Sequence, residues 1–242
     1  LGLGVPVHYI PNGVNPDRFS PVGSSIRERL GIAPSAPIVL LARRLVAKNG
    51  VCIFAQAVPQ FLRPGVRVLF AGDGPERSEV ETILDEAGCR GAAIFLGDVP
   101  NVEMPTVYRA ANLSVLPSFL EATSITGLES MATALPLVGT RVGGIPALID
   151  HERTGLLVDP GSPGQLAAAV NRLLDDPELC RSYGAAARAR VEREFAWKVI
   201  AQRTAACYEQ LLRGETTSDD EAATLPLEQQ PLPVWIPRRE AA

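Results

Sequence analysis

Short apolar, β-branched runs alternate with stretches of helical spacing along most of the chain. That alternation is the signature of βαβ units feeding one parallel sheet. Ile38–Ala42 (IVLLA), Val66–Ala71, Ala93–Leu96, Leu113–Leu116, Leu137–Thr140 and Gly155–Val158 read as strands. Between them, Val51–Leu62 puts Ile53, Phe54, Ala57 and Phe61 on one side of a helix. Helices are also expected over Glu76–Ala87, up to Ala111 from a short segment containing Val107, and from about Thr126 to Ala134. Pro163–Leu174, Pro177–Glu194 and Trp197–Leu212 add three more. The fold class is therefore α/β with a doubly wound parallel sheet. Such sheets bind ligands beyond the carboxyl ends of their strands, so the loops that directly follow strands are where chemistry is expected.

Composition narrows the class. The chain is 46% hydrophobic with a net charge of −4, so no overall basic field draws it to nucleic acid or anionic lipid. Cys52, Cys89, Cys180 and Cys207 are scattered, with no C-x-x-C pair, and suggest neither a zinc site nor a disulfide framework. No apolar run reaches the ~18 residues that span a membrane. The chain starts at Leu1 without a signal-peptide pattern, and Val5–Ile10 reads as a short strand with nothing before it. We expect a fragment of a longer, cytoplasmic protein. After Arg213 the composition turns to Glu, Thr, Ser, Asp and Pro without periodicity, so residues 214–242 are expected to form a disordered tail.

The most informative stretch is Pro117–Pro146, PSFLEATSITGLESMATALPLVGTRVGGIP. Glu121 falls in a loop after a strand, and Glu129 near the start of the next helix. Carboxylates accept hydrogen bonds from vicinal hydroxyls, which makes sugars and riboses natural partners. Between them, Thr123, Ser124 and Ile125 lead into a helix N-terminus, where free N–H groups and the helix dipole favour an anion. One loop thus offers acceptors for hydroxyls and donors for phosphate. A plainer reading also fits: Thr126-x-x-Glu129 has the spacing of a capping box.

These residues resemble the signature of family 4 retaining glycosyltransferases: Glu, seven residues, Glu, a small-residue helix, a strand, then VGGIP. Other segments are similar to family landmarks in the same order. They are IPNGVNPDRF (Ile10–Phe19), ARRLVAKNGV (Ala42–Val51), AGDGP (Ala71–Pro75), TGLLVDPG (Thr154–Gly161) and FAWKVIAQRTAACYEQLL (Phe195–Leu212). The resemblance implies a Rossmann-like domain, the C-terminal half of a GT-B architecture. It divides the chain into the end of an N-terminal domain and hinge (1–18), a nucleotide-sugar-binding domain (19–213) and the tail. It implies that Glu129 holds the donor's ribose hydroxyls, that Glu121 faces the donor sugar, and that Ser124 and Ile125, with Thr123 beside them, cradle the diphosphate. It implies that Arg44 neutralises the leaving phosphate, so Glu121 and Arg44 are the catalytic candidates. Gly72 and Val99 are implied around the nucleotide, whose base would lie near Gly97–Val99.

The chain departs from the family pattern at several positions. Asn49 stands where a phosphate-binding lysine is usual, and Lys48 falls one place earlier, leaving open which of the two serves the phosphate. Ser130 follows Glu129 in place of alanine, Ala134 replaces a glycine at little expected cost, and Ala147 replaces a common acidic residue. Asp-x-Asp is absent, so no carboxylate-bound metal is expected, and no cofactor either. His8 and His151 have no ligand or triad partners nearby in sequence. Gly2-x-Gly4 precedes a strand and fails the dinucleotide fingerprint, while Gly143-Gly144 would permit a tight turn close to ligand.

The expected partners are a UDP-, GDP- or ADP-sugar donor, an acceptor glycan, lipid or small molecule, and an absent N-terminal domain through which peripheral membrane contact could come. The fragment alone is expected to bind nucleotide without efficient turnover. The rival readings are a non-catalytic sugar-nucleotide-binding subunit, another GT-B enzyme such as a nucleotide-sugar epimerase or sugar phosphorylase, and, more distantly, a dehydrogenase.

Overall fold

A computed structural model describes residues 8–213. Half of the expected opening strand (residues 5–7) and the expected tail lie outside the described residues, and His8, Tyr9 and Ile10 are exposed and without regular structure. Six parallel strands form one sheet: β1 (Ile38–Ala42), β2 (Arg67–Ala71), β3 (Ala93–Gly97), β4 (Leu113–Leu116), β5 (Leu137–Thr140) and β6 (Gly155–Val158). Their order is β3-β2-β1-β4-β5-β6. The chain winds outward from β1 in both directions, and the order reverses between β1 and β4.

Helices cover both faces, which is why these strands are mostly apolar rather than alternating. α1 (Val51–Phe61), α2 (Arg77–Glu86) and α6 (Pro163–Asp175) share one face. There Val39 and Leu41 meet Phe54, Phe61, Val80, Leu84 and Val170. Period-two geometry sends Ile38 and Leu40 to the other face. They join Tyr108 of α3 (Met104–Tyr108), Leu128 and Met131 of α4 (Ile125–Ala132), and Ala187 of α7 (Pro177–Arg190). A four-residue helix, α5 (Ile145–Leu148), follows the VGG loop where no helix is expected from sequence, because one turn is too short to show a period.

The expected helix to Glu194 ends at Arg190 and continues as a widened π turn, Val191–Phe195, before α8 (Trp197–Leu212). Residues of the expected hinge lie against this end of the domain: Val14 donates to Phe195 O at 2.9 Å and accepts from Trp197 N–H at 3.0 Å. Among the described residues, no helix is long and apolar enough to cross a membrane.

Candidate functional site

At the β1/β4 reversal, a cleft of about 550 Å³ opens at the carboxyl ends of the strands. Its wall comes from three loops and the start of a helix. Arg43 and Arg44 follow β1; Gly72, Asp73 and Gly74 follow β2; Asp98, Val99 and Asn101 follow β3; Ile125, Thr126 and Glu129 belong to α4, beyond β4. The β2 loop can lie against the β1 loop because position 72 has no side chain. Gly72 has φ 134°, and a Cβ there would strike the carbonyl of Arg43.

α4 begins with a serine cap. Ser124 Oγ accepts the Gly127 N–H at 3.1 Å, and the Ser124 carbonyl accepts the Leu128 N–H at 3.1 Å. The N–H groups of Ile125 and Thr126 have no protein acceptor among the described residues, and both residues line the cleft. Glu129 takes no part in the N-terminal cap, so the capping-box reading is corrected: the helix starts one residue earlier than expected, and Ser124 is its cap, accepting from Gly127 and Leu128.

Glu129 is instead buried, 6% exposed, with its carboxylate reaching the cleft wall. Its Oε2 accepts the Tyr108 hydroxyl at 2.8 Å. Burial pushes the Glu129 carboxyl above the ordinary carboxylate value, opposed by the hydrogen bonds from Tyr108 and Asn101 and by the charge of Arg18. Tyr108 itself is held neutral: burial, with the adjacent carboxylate, raises its hydroxyl well above its ordinary value. Next along the helix, Ser130 Oγ is buried without a hydrogen-bond partner among the described residues.

Glu121 has a different setting. It lies in the loop before α4, its side chain 14% exposed, and forms an ion pair with Arg43, whose side chain is 8% exposed. Arg43 also donates to Ser118 Oγ and, at 3.2 Å, to Asn49 Oδ1. Ser118 is fixed in turn, because its carbonyl accepts Thr140 Oγ1–H at 2.7 Å from the end of β5. The VGG loop closes on the same segment. Gly143, at φ 49°, and Gly144 press on the backbone of Glu121 and Ala122, and Gly144 N–H donates to Glu121 O at 2.9 Å. The glycines form the expected tight turn, and their lack of side chains lets it close on the loop that carries Glu121.

The structure therefore brings together Arg44, Gly72, Val99, Ile125 and Glu129 around the cleft, with Arg44 exposed at its rim. Ser124 is buried behind the helix start. Thr123 and Glu121 lie in the adjoining loop, outside the cleft wall. Asn49 is buried; its Nδ2 donates to Arg44 O at 2.7 Å and its Oδ1 accepts from Arg43. Lys48 is exposed and off the cleft wall, and its carbonyl accepts the Phe119 N–H at 2.8 Å. Arg43, Asn101 and Tyr108 escape the sequence argument. Arg43 had a signal, since it continues the buried parity of Val39 and Leu41 into the loop, but Tyr108 had none.

A model of the family described as glycosyl transferases group 1 matches residues 24–190. The chain belongs to the group 1 glycosyl transferases. It is 33% identical over 217 residues to the alpha-maltose-1-phosphate synthase of Mycobacterium tuberculosis, covering 84% of this chain and 56% of that one. Among solved structures, sucrose-phosphate synthase from Thermosynechococcus elongatus superposes with a TM-score of 0.76 at 32% identity, covering 85% of this chain and 52% of that one. Anabaena HepE, solved in complex with UDP, superposes with a TM-score of 0.77 at 25% identity, covering 83% and 57%. The fold is that of a GT-B Rossmann-like domain. The chain spans about half the length of the curated relatives it matches.

Proposed function

We propose that this chain is the donor half of a retaining, metal-independent glycosyltransferase, and that its cleft binds a nucleoside-diphosphate sugar. The observation that carries the reading is the placement of Glu129. A buried carboxylate, with no ion-pair partner among the described residues, faces the same cleft as the unsatisfied N–H groups of α4 and the arginines after β1. Hydroxyl donors from a ribose would replace the water that burial has removed from Glu129, and the helix start and arginines would take the phosphates. In transfer, the bond between the anomeric carbon and the diphosphate oxygen breaks, and one to the acceptor oxygen forms. The acceptor's proton leaves with the diphosphate, whose growing charge a fixed guanidinium such as that of Arg44 stabilises. Glu121 would face the donor sugar once its loop meets ligand. The acceptor would be held mainly by a further domain, so the 242-residue chain is expected to bind donor with little turnover.

UDP bound to HepE supports a nucleoside diphosphate as the ligand class. The test is thermal stabilisation of the chain by UDP, GDP, ADP and NAD, with Glu129→Ala as control. A ligand that binds only the folded state raises the melting temperature once its concentration exceeds the dissociation constant. Stabilisation of the wild type, but not of Glu129→Ala, by one nucleoside diphosphate is the expected result. Stabilisation by NAD alone, or equal stabilisation of both proteins, would overturn the reading.

A further inference from the structure

We infer that Arg43, although paired with Glu121, offers its two unfilled N–H donors to the phosphate end of the cleft, with Asn49 as its neutral cradle. The inference rests on the reading of the cleft as a nucleoside-diphosphate site. A guanidinium carries five N–H donors. Arg43 spends three of them on Ser118, Asn49 and Glu121, and the other two have no protein acceptor among the described residues. The side chain is 8% exposed, yet it lines the cleft. A buried cation with unfilled donors on the wall of an open cleft is completed by an anionic oxygen of the ligand, and its pinned geometry suits a phosphate.

Asn49 explains why the charge stands at 43. It is 6% exposed and uses both ends of its amide, accepting from Arg43 and donating to the Arg44 carbonyl. A lysine there could accept nothing from Arg43 and would put a second cation beside it in a poorly solvated place. Residues 43 and 49 therefore form one unit, in which a cation at either position requires a neutral partner at the other. Lys48 does not compensate: it is exposed and off the cleft wall.

The test compares the binding of UDP, GDP and ADP with that of uridine, guanosine and adenosine, as the ratio of diphosphate to nucleoside affinity. Arg43→Gln is expected to lower that ratio about tenfold, the loss of one charge-assisted hydrogen bond, while nucleoside affinity stays within about twofold. Asn49→Lys alone is expected to lower the unliganded melting temperature without raising the ratio. Arg43→Ala combined with Asn49→Lys, which moves the charge from 43 to 49, is expected to restore the ratio to within about threefold of wild type. If Arg43→Gln folds poorly, Arg43→Lys, which keeps the charge but loses the fork, should lower the ratio by a smaller factor. An unchanged ratio in Arg43→Gln, or a raised one in Asn49→Lys, overturns this inference while wild-type binding still upholds the donor site. Failure of the wild type to bind any of the three diphosphates overturns both.

Discussion

Glu121 and Glu129 leave the same strand–loop–helix segment with only seven residues between them, and they end in opposite electrostatic settings. Glu121 is matched by a buried arginine, and its loop is clamped by the backbone of the VGG turn. Glu129 has no cation in contact among the described residues. A neutral phenol holds one oxygen, and burial raises the cost of its charge. The Glu121 carboxylate is balanced without ligand, even though its arginine keeps two free donors; the Glu129 carboxylate is balanced only when further donors arrive. The difference teaches that a carboxylate's role comes from what replaces its lost water.

The largest test of this contrast lies at the ion pair. Arg43→Met strands Glu121 and is expected to cost about 3 kcal/mol in denaturant unfolding. Adding Glu121→Leu should recover more than half of that, because the pair is then removed as a unit. Purely additive losses would break the picture of a coupled pair.

At the other carboxylate, Tyr108→Phe keeps the ring and its edge contact with Phe19 but removes the hydroxyl donor. A loss of about 2 kcal/mol at neutral pH is expected. It should shrink on acidification, since a protonated Glu129 needs the donor less.

Glu129→Gln should act in the opposite sense on the unliganded chain, raising its melting temperature at neutral pH. The sign follows from the raised carboxyl. Glu129's stability contribution is complete below the ordinary value of 4.5 and is lost as pH rises through its higher folded value. Nucleotide binding should run the other way, because ligand hydroxyls favour the ionised form. Affinity should therefore strengthen as pH rises through that window, by up to about tenfold per unit. The Gln variant should bind weakly and without this dependence. A stabilising loss of binding would sharpen the contrast, whereas a destabilised Gln variant would break it.

The smallest effect concerns the end of the helix that carries Glu129. Ala134 sits at φ 59°, just beyond the Thr133 cap, so its expected low cost is corrected: a left-handed alanine is strained. Ala134→Gly should stabilise the chain by about 0.5–1 kcal/mol, after allowing for the greater freedom of glycine when unfolded. Chemical denaturation of the two proteins measures it. No gain would mean that the helix end yields to relieve the strain.

All six strands were legible in the sequence to within a residue, because strands covered by helices on both faces are mostly apolar. The long helices were legible for the same reason of periodic burial, whereas the single-turn α5 was not. The two carboxylates and the helix start between them stood out locally, as polar residues following a buried strand. Their environments did not. Tyr108 reaches Glu129 only because α3 packs on α4, and Asn49 became a cradle only when the β1 loop folded back on itself. Of two adjacent arginines, the one that continues the buried parity turned inward to Glu121 and Ser118, and the other stayed at the rim. Hydrophobic pattern acts between near neighbours and so determines the sheet and its helices. The charge state and partners of a side chain depend on which distant groups share its buried volume, and only the tertiary structure decides that.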